Sequence, residues 1–143
     1  MSSEPTLTLP RRWTSMTPTK DPRIHLMLAT EWLPASGYRP RAVVTREPTA
    51  LDLETYQGSL IAGVLQGLAE AELEEAEIYP VDGRPMSYLR IWHRTDGSDL
   101  MTEARTWIHE DVAWTVVSTV EHTDYPDFCD LFEDLTLHFE EPT

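Results

Sequence analysis

Apolar and polar residues alternate most clearly over residues 84–121 of the sequence. Two short polar turns, Thr95–Ser98 and Glu110–Asp111, divide this region into strands. The predicted strands are Arg84–Arg94, Asp99–His109 and Val112–Glu121. Short polar turns between runs rich in β-branched and aromatic residues are typical of antiparallel hairpins. The pattern therefore predicts an antiparallel meander at the centre of the fold.

The segments before the meander show both strand and helix periodicity. Strands are predicted at Thr6–Leu9, Arg23–Trp32 and Ala42–Arg46. A helix follows, with Thr49 and Asp52 as rival N-caps. Its apolar face is formed by Leu53, Tyr56, Leu60, Val64 and Leu68. Ser59, Gly63 and Gly67 recur four residues apart, and we expect this smooth strip to pack on the sheet, with a seat for a partner helix as the alternative.

The remaining elements are less regular. Five glutamates in the range Glu70–Glu77 indicate a solvated helix end, which passes into a strand at Ala76–Val81. A second helix is predicted over Asp124–Leu135, and Leu137–Phe139 is interpreted as a terminal strand. The sequence shows no internal repeat and no linker. It thus predicts one α+β domain over residues 1–143, with helices packed on a central antiparallel sheet.

Charge is distributed unevenly along a chain whose net charge is −14. Residues 1–46 hold seven Lys and Arg residues against three acids, whereas residues 47–143 hold four against twenty-two. Nucleic acid and anionic membrane surfaces bind basic faces, so we expect neither as a partner. The excess of acid either serves solubility alone or selects a basic partner.

Neither a membrane span nor a secretory signal is predicted. No run approaches the roughly 20 apolar residues that a spanning helix needs, and the first ten residues lack the basic and apolar regions of a signal peptide. Cys129 is the single cysteine, which excludes an internal disulfide and a cysteine-based zinc cluster. We expect a cytoplasmic protein in which Cys129 is a small, partly buried thiol.

Catalytic motifs are missing from the sequence. The five histidines form no pair at i, i+4 spacing, and neither a GxSxG elbow nor a GxGxxG phosphate loop occurs. We therefore expect no catalytic residues, no cofactor and no metal, and a protein that binds a partner instead of transforming a substrate.

Pairing the meander strands across their turns predicts which side chains share a face. If Arg94 lies opposite Asp99 and His109 lies opposite Val112, one face is large and aromatic. This aromatic face carries Tyr88, Arg90, Trp92, Met101, Glu103, Arg105, Trp107, Trp114, Val116 and Val120. The other face is smoother, which suits a packed helix, and it carries Leu89, Ile91, Leu100, Thr102, Ala104, Ile108, Ala113 and Val117.

Seven side chains of the aromatic face form the candidate partner-binding site, namely Tyr88, Arg90, Trp92, Glu103, Arg105, Trp107 and Trp114. Trp, Tyr and Arg are the residue types enriched at interface hot spots. The aromatic face has two interpretations. Either it lies under the second helix with its charges at the rim, or it forms an open or partly covered groove for a segment of another protein.

The order of these elements resembles a family of small bacterial proteins. The similar motifs are Leu7–Trp13, Arg39–Glu47, Leu53–Tyr56, Gly83–Pro85 and a closing helix with Phe128 and Phe132. The family includes the actinobacterial lipoprotein LpqN, the DcrB-type proteins and the Eag chaperones of type VI secretion, within the broader Mog/PsbP-like fold. The resemblance implies an α+β sandwich without a shared active site.

The resemblance also implies a function as a non-catalytic adaptor or chaperone that binds another protein, because known members are mostly binding proteins. The alternative is a carrier of a small hydrophobic ligand, with a pocket between the sheet and a helix. The sequence leaves open whether the protein forms a homodimer.

Overall fold

The described part of the chain forms an antiparallel sheet with one helix on each face. The structure is a computed structural model, and it describes residues 6–7, 13–16, 21–31, 33–137 and 139–140. The strands are β1 (Thr6–Leu7), β2 (Trp13–Met16), β3 (Ile24–Thr30), β4 (Arg41–Pro48), β5 (Glu70–Val81), β6 (Arg84–Thr95), β7 (Ser98–His109), β8 (Val112–Glu121) and β9 (Phe139–Glu140). The helices are α1 (Leu53–Gly67) and α2 (Tyr125–Leu137), and a short 3-10 helix at His122–Asp124 precedes α2.

Seven strands form the main sheet in the spatial order β2-β3-β4-β8-β7-β6-β5, and every neighbouring pair is antiparallel. β1 and β9 pair with each other in a separate small sheet. The predicted α+β class with a central antiparallel meander is confirmed. Strands β5 to β8 are consecutive in sequence and adjacent in space, so local hairpins build this half of the sheet.

Three two-residue turns set the register of β5 to β8. Their residues, Asp82–Gly83, Asp96–Gly97 and Glu110–Asp111, all have positive φ angles between 50° and 79°. Positive φ at both central positions is typical of the type I′ turn, whose twist matches that of the flanking strands. Arg94 pairs with Asp99, and His109 pairs with Val112, as predicted. The two faces of the meander are therefore composed as the sequence indicated.

The acidic tract is a strand along its whole length, so our interpretation of it as a helix end is wrong. α1 ends at Gly67, and Leu68 already has an extended backbone. β5 then begins at Glu70 and pairs with β6. Its apolar residues Ala71 and Leu73 pack against the core under α1. This burial, together with pairing to β6, outweighs the helix propensity of glutamate.

Other differences concern the ends of elements. β2 was not predicted from the sequence. Leu137 belongs to α2, so the terminal strand is Phe139–Glu140 instead of Leu137–Phe139. Of the predicted strand Thr6–Leu9, the first two residues form β1 and the rest lies outside the described residues, as does Trp32 at the end of the second predicted strand.

One helix packs on each face of the main sheet. Asp52, not Thr49, caps α1, since its carboxylate accepts a backbone hydrogen bond of 2.8 Å from the first turn. As expected, α1 packs on the smooth face, where the buried residues are Leu89, Ile91 and Ala104. α2 packs on the aromatic face through Phe128, Phe132 and Leu135. No helix in the described part of the chain is long and apolar enough to cross a membrane.

The smooth strip of α1 faces solvent. Ser59, Gly63 and Gly67 are exposed, and a Cβ atom placed on Gly63 would meet nothing within 4 Å beyond its chain neighbours and the backbone of its own helix. Our expectation that this strip packs on the sheet is therefore wrong. The sheet side of α1 is formed by larger side chains, namely Leu60, Ile61 and Val64.

We expect Gly63→Ala to raise the free energy of unfolding by about 1 kcal/mol, because alanine restricts the unfolded chain and has room in the folded helix. Chemical denaturation measures this change. Gly97→Ala is the control, because Gly97 has a φ angle of 79° and we expect alanine there to destabilise the turn. A loss of stability in Gly63→Ala would show that the strip packs against another surface.

Candidate functional site

Two charged side chains are buried on the face of β7 that α2 covers. Glu103 is 1% exposed and Arg105 is 6% exposed. The two residues are two positions apart, so the alternation of a strand directs both side chains to one face. Arg105 donates hydrogen bonds of 3.2 Å and 3.4 Å to the two carboxylate oxygens of Glu103. A buried ion pair needs further polar partners to offset its lost hydration.

Two tyrosine hydroxyls provide these partners. Tyr88 on β6 and Tyr125 at the start of α2 both donate to Oε2 of Glu103, and the bond from Tyr125 is 2.9 Å long. Tyr125 is positioned by the 3-10 helix before α2, where the Glu121 carboxylate accepts a 2.8 Å bond from the N–H of Thr123. Residues of β6, β7 and α2 thus meet at one carboxylate, which ties the first turn of α2 to the sheet.

The surroundings of Tyr88, Tyr125 and Arg105 raise the pKa of each of these side chains. Burial and then the hydrogen bond to Glu103 raise the pKa of Tyr88. Burial also raises the pKa of Tyr125. Burial lowers the pKa of Arg105, but the charge and hydrogen bonds of Glu103 outweigh this effect, so the net pKa is raised. The two hydroxyls are therefore protonated donors, and the guanidinium is charged.

Arginine–aromatic contacts extend the network to both sides. The guanidinium of Arg105 lies 4.8 Å from the centre of the Tyr88 ring, and that of Arg90 lies 6.0 Å from the Tyr125 ring. Arg90 also forms ion pairs of 3.2 Å and 3.1 Å with two residues of β5, which are Glu74 and Glu75. The network therefore connects β5, the centre of the sheet and α2.

An open cleft of about 390 Å³, which we call the tyrosine cleft, lies beside this network between β5 and α2. It is lined by Glu77, Tyr79, Tyr88, Glu103, Arg105, Tyr125, Cys129, Asp130 and Glu133. Four of these side chains are acids and one is a base, so the cleft attracts cations. Its three tyrosine rings offer flat surfaces that are apolar on the face and polar at the hydroxyl.

The structure brings part of the predicted binding site together at this cleft. Tyr88, Glu103 and Arg105 line it, and Arg90 lies beside it through the contact with Tyr125. These four predicted residues come from two adjacent strands whose register was inferred correctly from the turns.

The three predicted tryptophans lie elsewhere. Trp107 and Trp114 are 2% and 4% exposed in the core that α2 completes, and Trp92 is partly buried against the same core. α2 thus covers the tryptophans of the aromatic face. Glu103 and Arg105 are buried beside the tyrosine cleft, so the expectation that the charges lie at the rim is wrong for this pair. Whether any of the seven residues contacts a partner stays a prediction.

Tyr79 and Tyr125 belong to the site but were not predicted from the sequence. The Tyr79 ring lies 6.5 Å from that of Tyr88. Tyr125 precedes Phe128 by three positions, and this helical spacing is a signal for the sheet side of α2. Nothing in the local pattern indicates that side chains of α2 and β5 line the same cleft, because this depends on the tertiary arrangement.

Two further cavities carry different linings. One of about 450 Å³ is lined by Pro22, Arg46, Pro48, His109, Glu110, Val112 and Trp114. The other, of about 310 Å³, lies beside α1 and includes Arg23, Glu47 and Tyr56. No group of three His, Cys, Asp or Glu side chains within the described ranges could hold a metal ion.

Comparison with known proteins identifies the fold but no family. No protein-family model matches the sequence, and no curated protein matches it. Among solved structures, LpqN of Mycobacterium tuberculosis, described as involved in cell envelope biogenesis, is similar with a TM-score of 0.74 and 10% identity. The match covers 96% of this chain and 83% of LpqN. The chain has an LpqN-like fold.

Two other solved structures share the LpqN-like fold. A protein of unknown function from Pseudomonas aeruginosa, described as a putative regulator, has a TM-score of 0.70 and 17% identity over 98% of both chains. Cyanobacterial PsbP from Synechocystis has a TM-score of 0.68 and 12% identity over 99% of this chain and 95% of its own. The expected Mog/PsbP-like architecture is confirmed. At these sequence identities the similarity shows the fold alone. Any function of the tyrosine cleft must therefore be argued from the residues that line it.

Proposed function

We propose that the protein is a non-catalytic adaptor or chaperone-like module that binds a segment of another protein at the tyrosine cleft. The observation that carries this proposal is the buried Glu103–Arg105 pair beside an open cleft lined by three tyrosines. Tyr and Arg are enriched where interfaces concentrate their binding energy. The cleft offers both types at fixed positions.

The hydrogen bonds of the cluster preorganise this surface. Tyr88 and Tyr125 are held through their hydroxyls by Glu103, so their rings lose little further freedom when a partner binds. The acidic lining, on a chain of net charge −14, attracts a positively charged segment and repels an acidic one. The proposed partner is therefore a protein with a basic segment.

The second candidate function is a carrier of a small ligand in a pocket between the sheet and a helix. The volume of the tyrosine cleft favours it, since about 390 Å³ falls within the range of ligand sites. Its charged lining suits a polar ligand better than the hydrophobic one we expected from the sequence. Equilibrium dialysis against apolar and cationic small molecules tests this candidate, and no retention of any of them by the protein would remove it.

We expect Tyr79→Ala to reduce capture of the partner from a native lysate about tenfold, because it removes one wall of the tyrosine cleft while its side chain is only partly buried. Affinity capture of the tagged protein followed by mass spectrometry measures the effect. Tyr38→Ala is the matched control. Tyr38 is also a partly buried tyrosine, and it is not part of the cleft lining; its ring centre lies 5.5 Å from the guanidinium of Arg41. Equal capture by both variants would contradict the proposal.

The cellular location of the protein is part of the same proposal. The cytoplasmic location predicted from the sequence stays a prediction, and LpqN, which shares the fold, is described as acting in cell envelope biogenesis. A basic partner segment is compatible with either compartment.

A further inference from the structure

β5 forms one outer edge of the main sheet. β5 is the last strand in the order of the main sheet and pairs with β6 on one side. Among the residues that the structure describes, none forms a strand on its other side. The strand is 12 residues long. Such an edge presents a row of unpaired N–H and C=O groups that can accept a further strand.

The register of the hairpin shows which backbone groups point outward. Val81 and Arg84 flank the two-residue turn and form the first pair of the ladder, which is a hydrogen-bonded pair in such a hairpin. Because the direction alternates along the strand, the N–H groups of Ile78 and Ala76 point away from β6. Pro80 occupies the next outward position and has no N–H, so the accepting part of the edge ends there.

The side chains of β5 differ between the two faces of the sheet. On the face of α1, the edge carries Ala71, Leu73, Ala76 and Ile78. On the face of α2, it carries Glu72, Glu75, Glu77 and Tyr79. Ile78 is 41% exposed, so part of the apolar row is uncovered. A strand added here would place alternate side chains against an apolar row and an acidic row.

Carboxylates crowd within the acidic row. Arg90 forms ion pairs with Glu74 and Glu75. Glu77 lies against Glu75, whose hydrogen bond and charge raise the pKa of Glu77. Two carboxylates in such contact repel each other at neutral pH, and a cation beside them relieves the repulsion. The crowding favours a basic occupant, and it is independent of the free edge.

We propose that the outer edge of β5 pairs with an extended segment of the partner protein in which basic and apolar residues alternate. The inference rests on the proposed function, since it names the part of the partner that is bound. Basic side chains of the segment lie along Glu72, Glu75 and Glu77, next to the tyrosine cleft. Apolar side chains lie along Leu73 and Ile78. Main-chain hydrogen bonds supply affinity in this binding mode, and the alternating side chains supply specificity.

A second copy of the chain is a poorer occupant of the same edge. Two β5 strands placed side by side would bring their glutamates together, and like charges directly opposite each other destabilise a sheet. The acidic edge therefore opposes self-association while it remains open to a basic segment.

The test uses a synthetic peptide that alternates lysine and valine and is blocked at both ends. Its control has the same composition with all lysines before all valines, so the charge is equal but the alternation is lost. We expect the alternating peptide alone to slow hydrogen exchange at the amides of Ala76 and Ile78 about tenfold, since these amides become hydrogen-bonded. Equal protection by both peptides, or unchanged exchange at saturating concentrations, would overturn the proposal.

Variants of β5 test the same contact from the protein side. Ala76→Pro removes an outward N–H and leaves the ladder to β6 intact, and we expect it to weaken peptide binding about tenfold. The double variant Glu72→Gln with Glu77→Gln keeps the backbone and should also weaken binding. Glu54→Gln, on the exposed surface of α1, removes a charge elsewhere and should bind as the unmodified protein does. Protection of the same amides at high protein concentration without peptide would identify a second copy as the occupant and overturn the proposal.

Capture from lysate separates this inference from the proposed function. If Ala76→Pro abolishes capture, the β5 edge binds the partner. If Ala76→Pro retains it while Tyr79→Ala abolishes it, the adaptor function stands and the β5 inference fails. If both variants retain it, both proposals fail.

Discussion

Arg105→Met is expected to lower the free energy of unfolding by about 3–5 kcal/mol, because it leaves the Glu103 carboxylate buried without its cation. Methionine keeps much of the aliphatic volume of arginine, so the loss reports mainly on charge. Glu103 is 1% exposed, so its carboxylate depends on neighbouring protein groups for its charge and hydrogen-bond partners. Urea denaturation followed by circular dichroism measures the change.

Two further variants identify the cause of this loss. Arg94→Met breaks a 2.9 Å ion pair with Asp99 on the surface of the same sheet, and we expect a much smaller loss of stability because solvent screens this exposed pair. The double variant Glu103→Leu with Arg105→Met removes both buried charges and should recover part of the stability. A double variant less stable than Arg105→Met alone would mean that the tyrosine hydroxyls left without an acceptor dominate the cluster.

Trp107→Ala is expected to lower the free energy of unfolding by about 3–5 kcal/mol, because it removes a large side chain from a close-packed core. Trp107 is 2% exposed and belongs to the cluster that α2 completes with Phe128 and Phe132. A loss of this size is a large part of the stability of a typical domain, which is about 5–15 kcal/mol. Thermal and chemical denaturation measure it.

Trp92→Ala is the matched control for Trp107→Ala. Trp92 is partly buried at the margin of the same core, so we expect a clearly smaller loss of stability. Trp92→Ala is therefore suited to binding experiments, whereas a binding defect in Trp107→Ala would reflect unfolding. Equal losses in the two variants would contradict the placement of Trp107 in the core.

The meander could be predicted because its signals are local. Asp82–Gly83 and Asp96–Gly97 are turn dipeptides, and a two-residue turn sets the register of both flanking strands. Once the register was inferred, the alternation of each strand assigned Tyr88, Glu103 and Arg105 to one face. This part of the site needed no knowledge of the rest of the chain.

Two predictions made from local sequence patterns were wrong. The glutamates of β5 favour a helix by intrinsic propensity, but pairing with β6 and burial of Leu73 under α1 stabilise a strand. The strip around Gly63 was assigned to the sheet side of α1, but α1 turns its larger apolar side chains to the sheet. The first error arose because the deciding contacts come from residues distant in sequence, whereas the apolar face of α1 that packs on the sheet was already visible in the sequence.

Local signals are sufficient for the antiparallel meander, its register and the composition of its two faces, because turn chemistry and side-chain alternation act between neighbouring residues. Long-range packing places α2 over the tryptophans, brings Tyr125 to 2.9 Å from Glu103 and leaves the tyrosine cleft between α2 and β5. These features depend on where a helix rests on a sheet. That position follows from the summed packing of many side chains, which no local pattern contains.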